Sequence, residues 1–293
     1  MINSIGELTY WVTLAHAKNV KPELRHKIAK LCIKNNILLS DFFELDPLIL
    51  GIEFLLNERE IGSIENISEL AVNNSFLIDN LLEEGYTIIT LASEHYPNKL
   101  YETLQEKSPI VLYIKGNVHL LNQQSVAIVG SRDASAISLE FTDNIAKLAV
   151  ARGKVIVSGY ARGVDQQALQ SGLKYGGQSI IILPQGIQTF SSGIKTLYKE
   201  IVDGSVLVIS SFFPTARWDA GLAMARNSII YGIADEIYIA ESGKTGGTWE
   251  GAKQGLNMKQ NIYIRKPSLK ENNANEILIE NGGIAVSLYG DII

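Results

Sequence analysis

The sequence predicts an α/β protein: an extended, Rossmann-like, mostly parallel sheet with helices on both faces, preceded by a small helical N-terminal domain. Three observations lead to this prediction. Short apolar runs alternate with longer helical patterns from residue 125 to residue 264, which is typical of parallel strands covered on both faces. Glycines follow several of these runs. Residues 1–82 instead carry apolar residues at helical spacing.

The predicted strands are short apolar runs bounded by turn residues. They lie at residues 87–90, 111–114, 125–129, 154–158, 179–183, 207–209, 236–240 and 261–264. Gly130, Gly159, Gly186 and Gly243 follow four of them. In open α/β sheets ligands bind at the carboxyl ends of the strands, so these loops form the expected site.

The chain is predicted to divide into a helical domain, residues 1–82, and a Rossmann-like domain, residues 83–293. Leu24, Ile28 and Leu31 are examples of the helical spacing in the first segment. Pro22 indicates one helix start, and the segment from Asn74 indicates another. We expect the first domain to take little part in ligand binding, so that a fragment without it stays soluble and still binds.

Composition favours a globular protein of the cytoplasm. Of the 293 residues, 46% are hydrophobic and 19% are charged, which suits a sizeable core and argues against disorder. The single cysteine, Cys32, excludes an internal disulfide and a cysteine zinc cluster, and it suits a reducing compartment. No signal-type segment is visible, and no run reaches the about 18 apolar residues of a membrane span. We therefore expect a cytoplasmic protein with no membrane partner.

The net charge of −5 is unevenly distributed. Residues 1–125 sum to −6, residues 126–266 to +4 and residues 267–293 to −3. The basic surplus therefore lies in the segment that holds the glycine-rich loops. A surplus of this size does not by itself indicate a nucleic-acid partner.

The segment Gly130-Ser131-Arg132 directly follows a buried run and precedes a helical pattern. Glycine lets backbone amides approach an anion, serine adds a hydroxyl donor, the helix N-terminus is positive, and arginine forks onto phosphate. An ordinary strand–helix turn with a surface arginine explains the same residues equally well.

The loop after the next predicted strand holds Ser158, Gly159, Arg162 and Gly163. Two glycines with an arginine between them again suit an anion, and the second glycine allows close packing of helix on sheet. Asp165 is expected in the first turn of the following helix. In the alternative interpretation, Arg162 forms a salt bridge with Asp165 and binds no ligand.

Two polar segments later in the chain complete the candidate site. Arg226 and Asn227 precede an apolar helical pattern and suit contacts to phosphate, sugar or base, but they suit a polar first turn of that helix equally well. Lys244, Thr245 and Gly246 lie in a glycine-rich loop before a helix start. This is the most favourable anion loop in the chain, although a flexible surface loop has a similar composition.

No cofactor and no metal are predicted. The Gly130 loop lacks the G-x-G-x-x-G order of dinucleotide sites, and the Lys244 loop lacks the order of a P-loop. The four histidines all precede the α/β segment and do not share a site by spacing. No G-x-S-x-G elbow supports a serine hydrolase.

The order of these motifs resembles the DNA-processing protein A (DprA, also called Smf) family over about residues 85–285. Residues 96–100 match the family's Tyr-Pro-x-x-Leu, and residues 109–116 match its Pro-x-x-Leu-Tyr-x-x-Gly. Further matches are residues 130–132, the serine at 135, residues 158–165, Arg226-Asn227 and residues 275–282.

The resemblance implies a Rossmann-like domain that binds single-stranded DNA with little sequence preference. It also implies a homodimer that passes DNA to a RecA-type recombinase, in DNA processing during natural transformation and recombination. The phosphate track carried over by motif consists of Gly130, Ser131, Arg132, Gly159, Arg162, Arg226 and Asn227. To this set we add five residues for their positions in the predicted loops: Ser158, Gly163, Lys244, Thr245 and Gly246.

The chain departs from the family pattern at several places. Leu169 stands where the family usually has histidine, Ser211 where it has glutamate, and Ser228 where it has a second arginine. The Ser-Gly-Ser loop has become Thr245-Gly246-Gly247. Because the sequence stops at Ile293, we expect no winged-helix tail of the kind found in many members.

Two alternatives compete with this interpretation. Arg226 with residues 246–250 resembles the cytokinin-activating phosphoribohydrolases of the lysine-decarboxylase-like family. That resemblance implies that Arg226 binds phosphate and that Glu250 assists N-glycosidic cleavage of a nucleoside monophosphate, although Glu250 comes one residue early for that pattern. The other alternative is a nucleotide-sensing module that binds a small nucleotide and performs no chemistry.

Overall fold

A computed structural model describes residues 4–293. The N-terminal part is helical, and local sequence explains where its helices begin. Ser4 accepts a hydrogen bond from the backbone N–H of Glu7 at the start of the first helix, and Pro22 begins the second, as predicted. The six helices are α1 (Ile5–His16), α2 (Pro22–Asn35), α3 (Leu39–Phe42), α4 (Pro47–Ile52), α5 (Glu58–Ile64) and α6 (Ile67–Glu83).

The predicted helix start at Asn74 is wrong. Helix α6 runs without a break through this residue. The side-chain amide of Asn74 donates to the hydroxyl of Thr13 in α1, with 2.9 Å between nitrogen and oxygen. The polar side chain therefore joins two packed helices instead of capping one.

Nine strands form a single sheet in the order β1-β2-β6-β5-β4-β3-β7-β8-β9. The pairs β1–β2 and β2–β6 are antiparallel, and the other six pairs are parallel. The strands are β1 (Thr87–Thr90), β2 (Val111–Gly116), β3 (Ser125–Val129), β4 (Val155–Ser158), β5 (Ser179–Ile182), β6 (Val206–Ser210), β7 (Glu236–Ile239), β8 (Ile262–Arg265) and β9 (Ile284–Val286). Every predicted strand is confirmed; β9 lies outside the predicted set, because a run of three residues is too short to give a periodic signal.

Helices cover both faces of the sheet, which confirms the predicted fold class. Helices α8 and α9 pack on one face of β3, β4 and β7, and α1–α6 cover the β1, β2, β6 and β5 end of that same face. Helices α7, α12, α13 and α14 cover the opposite face. The helices after β1 are α7 (Asn98–Leu104), α8 (Ala136–Ala151), α9 (Val164–Lys174), α10 (Ser191–Thr196), α11 (Tyr198–Val202), α12 (Ala220–Ile233), α13 (Gly247–Asn257) and α14 (Asn275–Glu280).

The N-terminal helices share their apolar core with the sheet. Val111, Tyr113 and Val208 belong to the same buried cluster as the helical residues. His16 Nε2 lies 3.0 Å from the Tyr113 hydroxyl, and burial lowers the pKa of His16 to about 4. The division at residue 82 stays a prediction, and the experiments below therefore use the full chain.

The parallel part of the sheet has one topological switch point. From β3 the chain builds outward through β4, β5 and β6, and then returns to place β7 on the other side of β3. Ligands of open α/β sheets bind in the crevice at such a point, beyond the carboxyl ends of the strands. Among residues 4–293, no helix has both the length and the apolar character needed to cross a bilayer.

Candidate functional site

Two adjoining cavities lie at the carboxyl ends of the strands. The first, of about 460 Å³, is at the switch point between β3 and β7. The second, of about 360 Å³, lies beside β4 and β5. Arg132, Ala161, Trp218 and Arg226 line both. The predicted residues Gly130, Ser131, Asn227, Thr245 and Gly246 line only the first, and Gly159 and Arg162 only the second.

Backbone contacts hold the loop after β3 in place. The Ser131 N–H donates to the carbonyl of Glu241 at 2.9 Å, and the Val164 N–H donates to the carbonyl of Ser131 at 3.3 Å. Gly163 has a φ of +83°, and a Cβ there would lie 2.4 Å from the Ser131 carbonyl oxygen. The backbone at Gly163 therefore approaches the neighbouring loop more closely than a residue with a Cβ could, and this contact positions that loop.

Arg226 does not lie in the first turn of its helix, so the alternative interpretation of this segment as a polar first turn is wrong. Helix α12 begins at Ala220, where Asp219 accepts from the backbone N–H of Leu222 at 2.8 Å. Arg226 is two turns further along, and only 4% of it is exposed. Its Nη1 donates to the Ile182 carbonyl at 3.2 Å. The guanidinium therefore reaches the carboxyl end of β5 from α12, which covers one face of the sheet.

Gly159 makes room for this guanidinium. A Cβ at position 159 would lie 1.2 Å from Nη1 of Arg226, so no other residue fits there while Arg226 keeps its position. The sequence motifs place Gly159 in the predicted phosphate track. The structure gives it a second role, which is to hold open the space that Arg226 fills.

The partner of Asp165 is Arg226, so the alternative interpretation, in which Arg162 forms a salt bridge with Asp165, is wrong. Asp165 is buried in the first turn of α9, and its Oδ2 lies 3.8 Å from Nη1 of Arg226. Burial raises the pKa of Asp165, and the positive charge of Arg226 opposes this rise. Arg162 instead pairs with Asp133 at the exposed rim, where such pairs contribute little stability.

Arg132 is the free positive charge of the site. Its side chain is exposed and lines both cavities. None of the salt bridges formed within residues 4–293 includes it. The guanidinium lies near enough to Arg226 to contribute to the lowering of that residue's pKa, which burial mainly causes. Two neighbouring guanidinium groups, one unpaired, suit an anionic ligand.

Two predicted ligands, Ser158 and Lys244, line neither cavity, and the side-chain amide of a third, Asn227, already has a hydrogen-bond partner. Ser158 is buried, and its hydroxyl donates to the Ile128 carbonyl at 3.2 Å, so it does not face a ligand. Lys244 is exposed and lies outside both cavity linings. Asn227 does line the first cavity, but its Nδ2 already donates to the Gly247 carbonyl at 3.1 Å.

The N-terminus of α8, expected to hold an anion, already faces a carboxylate. Oε2 of Glu241 accepts from the backbone N–H of Ser135 at 3.0 Å and from the Ser138 hydroxyl at 2.7 Å. Burial alone would raise the pKa of Glu241, but these hydrogen bonds lower it. An anionic ligand is therefore directed to Arg132 and Arg226 and away from this helix end.

Glu250 is not placed for catalysis at this site. It is exposed on α13, lies 3.7 Å from Lys253 one turn further on, and lines neither cavity. The phosphoribohydrolase interpretation needs this carboxylate beside Arg226, so the structure contradicts it. Within residues 4–293 no group of three or more His, Cys, Asp or Glu side chains is arranged to hold a metal ion.

Trp218 is the site residue that sequence analysis missed. It lies in the irregular segment between β6 and α12, lines both cavities and is 51% exposed. The signal was present in the sequence, because a tryptophan between a predicted strand and the helix of Arg226 is unusual for a surface segment.

Comparison with known proteins identifies similar chains. The family model described as DNA recombination-mediator protein A matches residues 87–293. "Protein Smf" of Synechocystis sp. is 25% identical over 292 residues, which cover 96% of this chain and 70% of that protein. "DNA processing protein DprA" of Streptococcus pneumoniae is 25% identical over 212 residues, or 72% of this chain and 74% of that one. None of these descriptions names an enzyme.

Two solved structures share the fold. The X-ray structure of DNA processing protein A from Streptococcus pneumoniae has a TM-score of 0.73 and 22% identity, and it covers 98% of this chain and 95% of that one. DNA processing protein A from Helicobacter pylori, whose structure concerns a single-stranded DNA binding mode, has a TM-score of 0.60 and 24% identity, with coverages of 70% and 91%.

Proposed function

Because this chain belongs to the DNA recombination-mediator protein A family, we propose that it binds single-stranded DNA in the cleft formed by its two cavities. Membership makes the chain a DNA-processing protein and confirms the resemblance that its motifs indicated. The Smf and DprA relatives support this role. What we propose beyond this is that the chain prefers single-stranded DNA and that the DNA lies in this cleft.

The observation that carries the proposal is the pair Arg132 and Arg226 where the two cavities join. Arg132 is exposed and unpaired within residues 4–293, while Arg226 is held rigidly by Asp165 and Ile182. A phosphate placed there gains charge-assisted hydrogen bonds from both guanidinium groups, and the guanidinium of Arg226 is already held in place. The flanking cavities, about 460 and 360 Å³, have room for the bases on either side.

A single strand suits this cleft better than a duplex does. Bases enter cavities only when they are unpaired and unstacked, and duplex DNA keeps its bases inside the helix. The pneumococcal and Helicobacter proteins with this fold support the proposal, since the latter binds single-stranded DNA.

We extend the proposal to partners on family membership alone. The chain is proposed to form a homodimer, to protect single-stranded DNA and to help load a RecA-type recombinase. Its proposed location is the cytoplasm, where the buried thiol of Cys32 stays reduced.

We expect the full chain to bind oligo-dT more tightly than a duplex of equal length. Binding should weaken steeply as salt rises, because phosphate contacts release counterions. Titration by gel shift or anisotropy at two salt concentrations measures both effects. Equal or tighter binding of the duplex would contradict the proposal.

A further inference from the structure

We propose that Trp218 is a stacking platform for one DNA base, so that it separates the bases that enter the two cavities. The inference deepens the proposed function and rests on it. Trp218 is the aromatic residue shared by both cavity linings, together with Arg132 and Arg226. Phosphate and base contacts would therefore lie side by side.

The indole ring is free to receive a base. It is 51% exposed, and among residues 4–293 it takes part in none of the aromatic pairs, cation–π contacts or side-chain hydrogen bonds. The other aromatic residues of the second cavity, Tyr160 and Phe190, pack against each other edge to face with 5.2 Å between ring centroids. Trp218 is thus an open ring face in a cleft with two guanidinium groups, which is the combination that binds single strands without sequence preference.

The backbone on both sides of Trp218 is fixed. On one side, the Gly186 N–H donates to the Ala216 carbonyl, and the Ala216 N–H donates to the Phe213 carbonyl, each at 2.8 Å. On the other side, Asp219 caps helix α12. The ring is therefore carried by a tethered segment, and little conformational entropy is lost when a base stacks on it.

A stacking contact should be lost when the DNA lacks its bases, whereas a phosphate contact should remain. Base–aromatic stacking needs a base but no particular sequence. Trp218→Ala should weaken binding of oligo-dT by about tenfold and leave binding of an abasic oligonucleotide of equal length unchanged. Trp218→Phe should keep most of the affinity for oligo-dT, because the ring face is retained.

The experiment measures binding of oligo-dT and the abasic oligonucleotide by the parent, Trp218→Ala and Trp218→Phe. Oligo-dT should also quench the tryptophan fluorescence of the parent. Trp218→Phe should lose this quenching, and Trp249→Phe, a control outside both cavities, should keep it.

If Trp218→Ala binds oligo-dT as tightly as the parent does, the inference is overturned while the proposed function stays intact. An equal loss on both oligonucleotides would also overturn it, because Trp218 would then act only on the fold or the backbone contacts. Failure of the parent to bind oligo-dT would refute the proposed function itself.

Discussion

Gly159→Ala should abolish most single-stranded DNA binding, with a loss of about hundredfold. A Cβ at position 159 would lie 1.2 Å from Nη1 of Arg226, so the guanidinium must move from its position beside the Ile182 carbonyl and Asp165. Disrupting a buried, hydrogen-bonded charge typically costs about 2–5 kcal/mol in binding, and about 2.8 kcal/mol corresponds to hundredfold. Oligo-dT titration of the full chain measures the effect.

Displacement of Arg226 also leaves Asp165 buried without its partner, so the same variant should be less stable. A second variant separates the two effects: Gly159→Ala combined with Arg226→Met and Asp165→Asn removes the buried charges together. It should regain stability but not binding. Gly62→Ala is the matched control, because a Cβ there meets no atom within 4 Å. Parent-like binding by the folded Gly159→Ala variant would contradict the assigned role of Arg226.

Glu271→Ala should destabilise the fold by about 3–5 kcal/mol, because it strips the partner from a buried charge. Arg265 is only 2% exposed, and its guanidinium forms an ion pair with Glu271. The Nε of Arg265 donates to the Ala240 carbonyl at 2.9 Å, and its Nη2 donates to the Ser138 hydroxyl at 3.0 Å. This arginine therefore ties β7, β8 and α8 together, and without a counterion its charge stays buried. Urea unfolding measures the change.

Exposed Glu276 of the neighbouring helix α14 provides the control: Glu276→Ala should change stability little. The pair also predicts a pH dependence. The hydrogen bonds from Arg265 lower the pKa of Glu271 to about 2, from an ordinary value of 4.5. Because the folded state binds this proton less readily, its contribution is present above about pH 4.5 and is lost as the pH falls towards 2. A Glu271→Ala variant as stable as the parent at neutral pH would contradict this account.

The layout of the sheet could be predicted because its strands are buried on both faces. Residues 126–129 and 180–183 are continuous apolar runs, and continuous apolar runs bounded by turn residues are typical of parallel strands. Strand β9 and the order of the strands could not be predicted in this way. The first is too short for a period, and the second depends on contacts between distant segments.

The loops that form the site could be predicted from the sequence, but the role of each residue in them could be assigned only from the structure. Arg132 and Arg226 do line one cleft, as their positions after or beside strand ends suggested. The alternative that pairs Asp165 with Arg162 is wrong, because the partner of Asp165, Arg226, lies 61 residues away in sequence and reaches it only through the fold. Ser158 has the right sequence position, but its side chain points into the buried sheet, which follows from strand alternation across faces.

Arg132 is the residue that we propose holds a phosphate of single-stranded DNA. Arg226 is a less direct probe, because its removal leaves Asp165 unpaired. Arg132 forms no salt bridge within residues 4–293, so Arg132→Ala should fold normally, which circular dichroism and melting check. The matched control is Arg152→Ala. It removes an equal charge at the C-terminal end of α8, away from the carboxyl ends of the strands.

The decisive measurement is the salt dependence of oligo-dT binding by the parent, Arg132→Ala and Arg152→Ala. Arg132→Ala should bind oligo-dT substantially more weakly than the parent does. Its plot of log affinity against log salt should lose about one unit of slope, as expected for one phosphate contact, whereas Arg152→Ala should match the parent. A folded Arg132→Ala variant with the affinity and slope of the parent would contradict the claim.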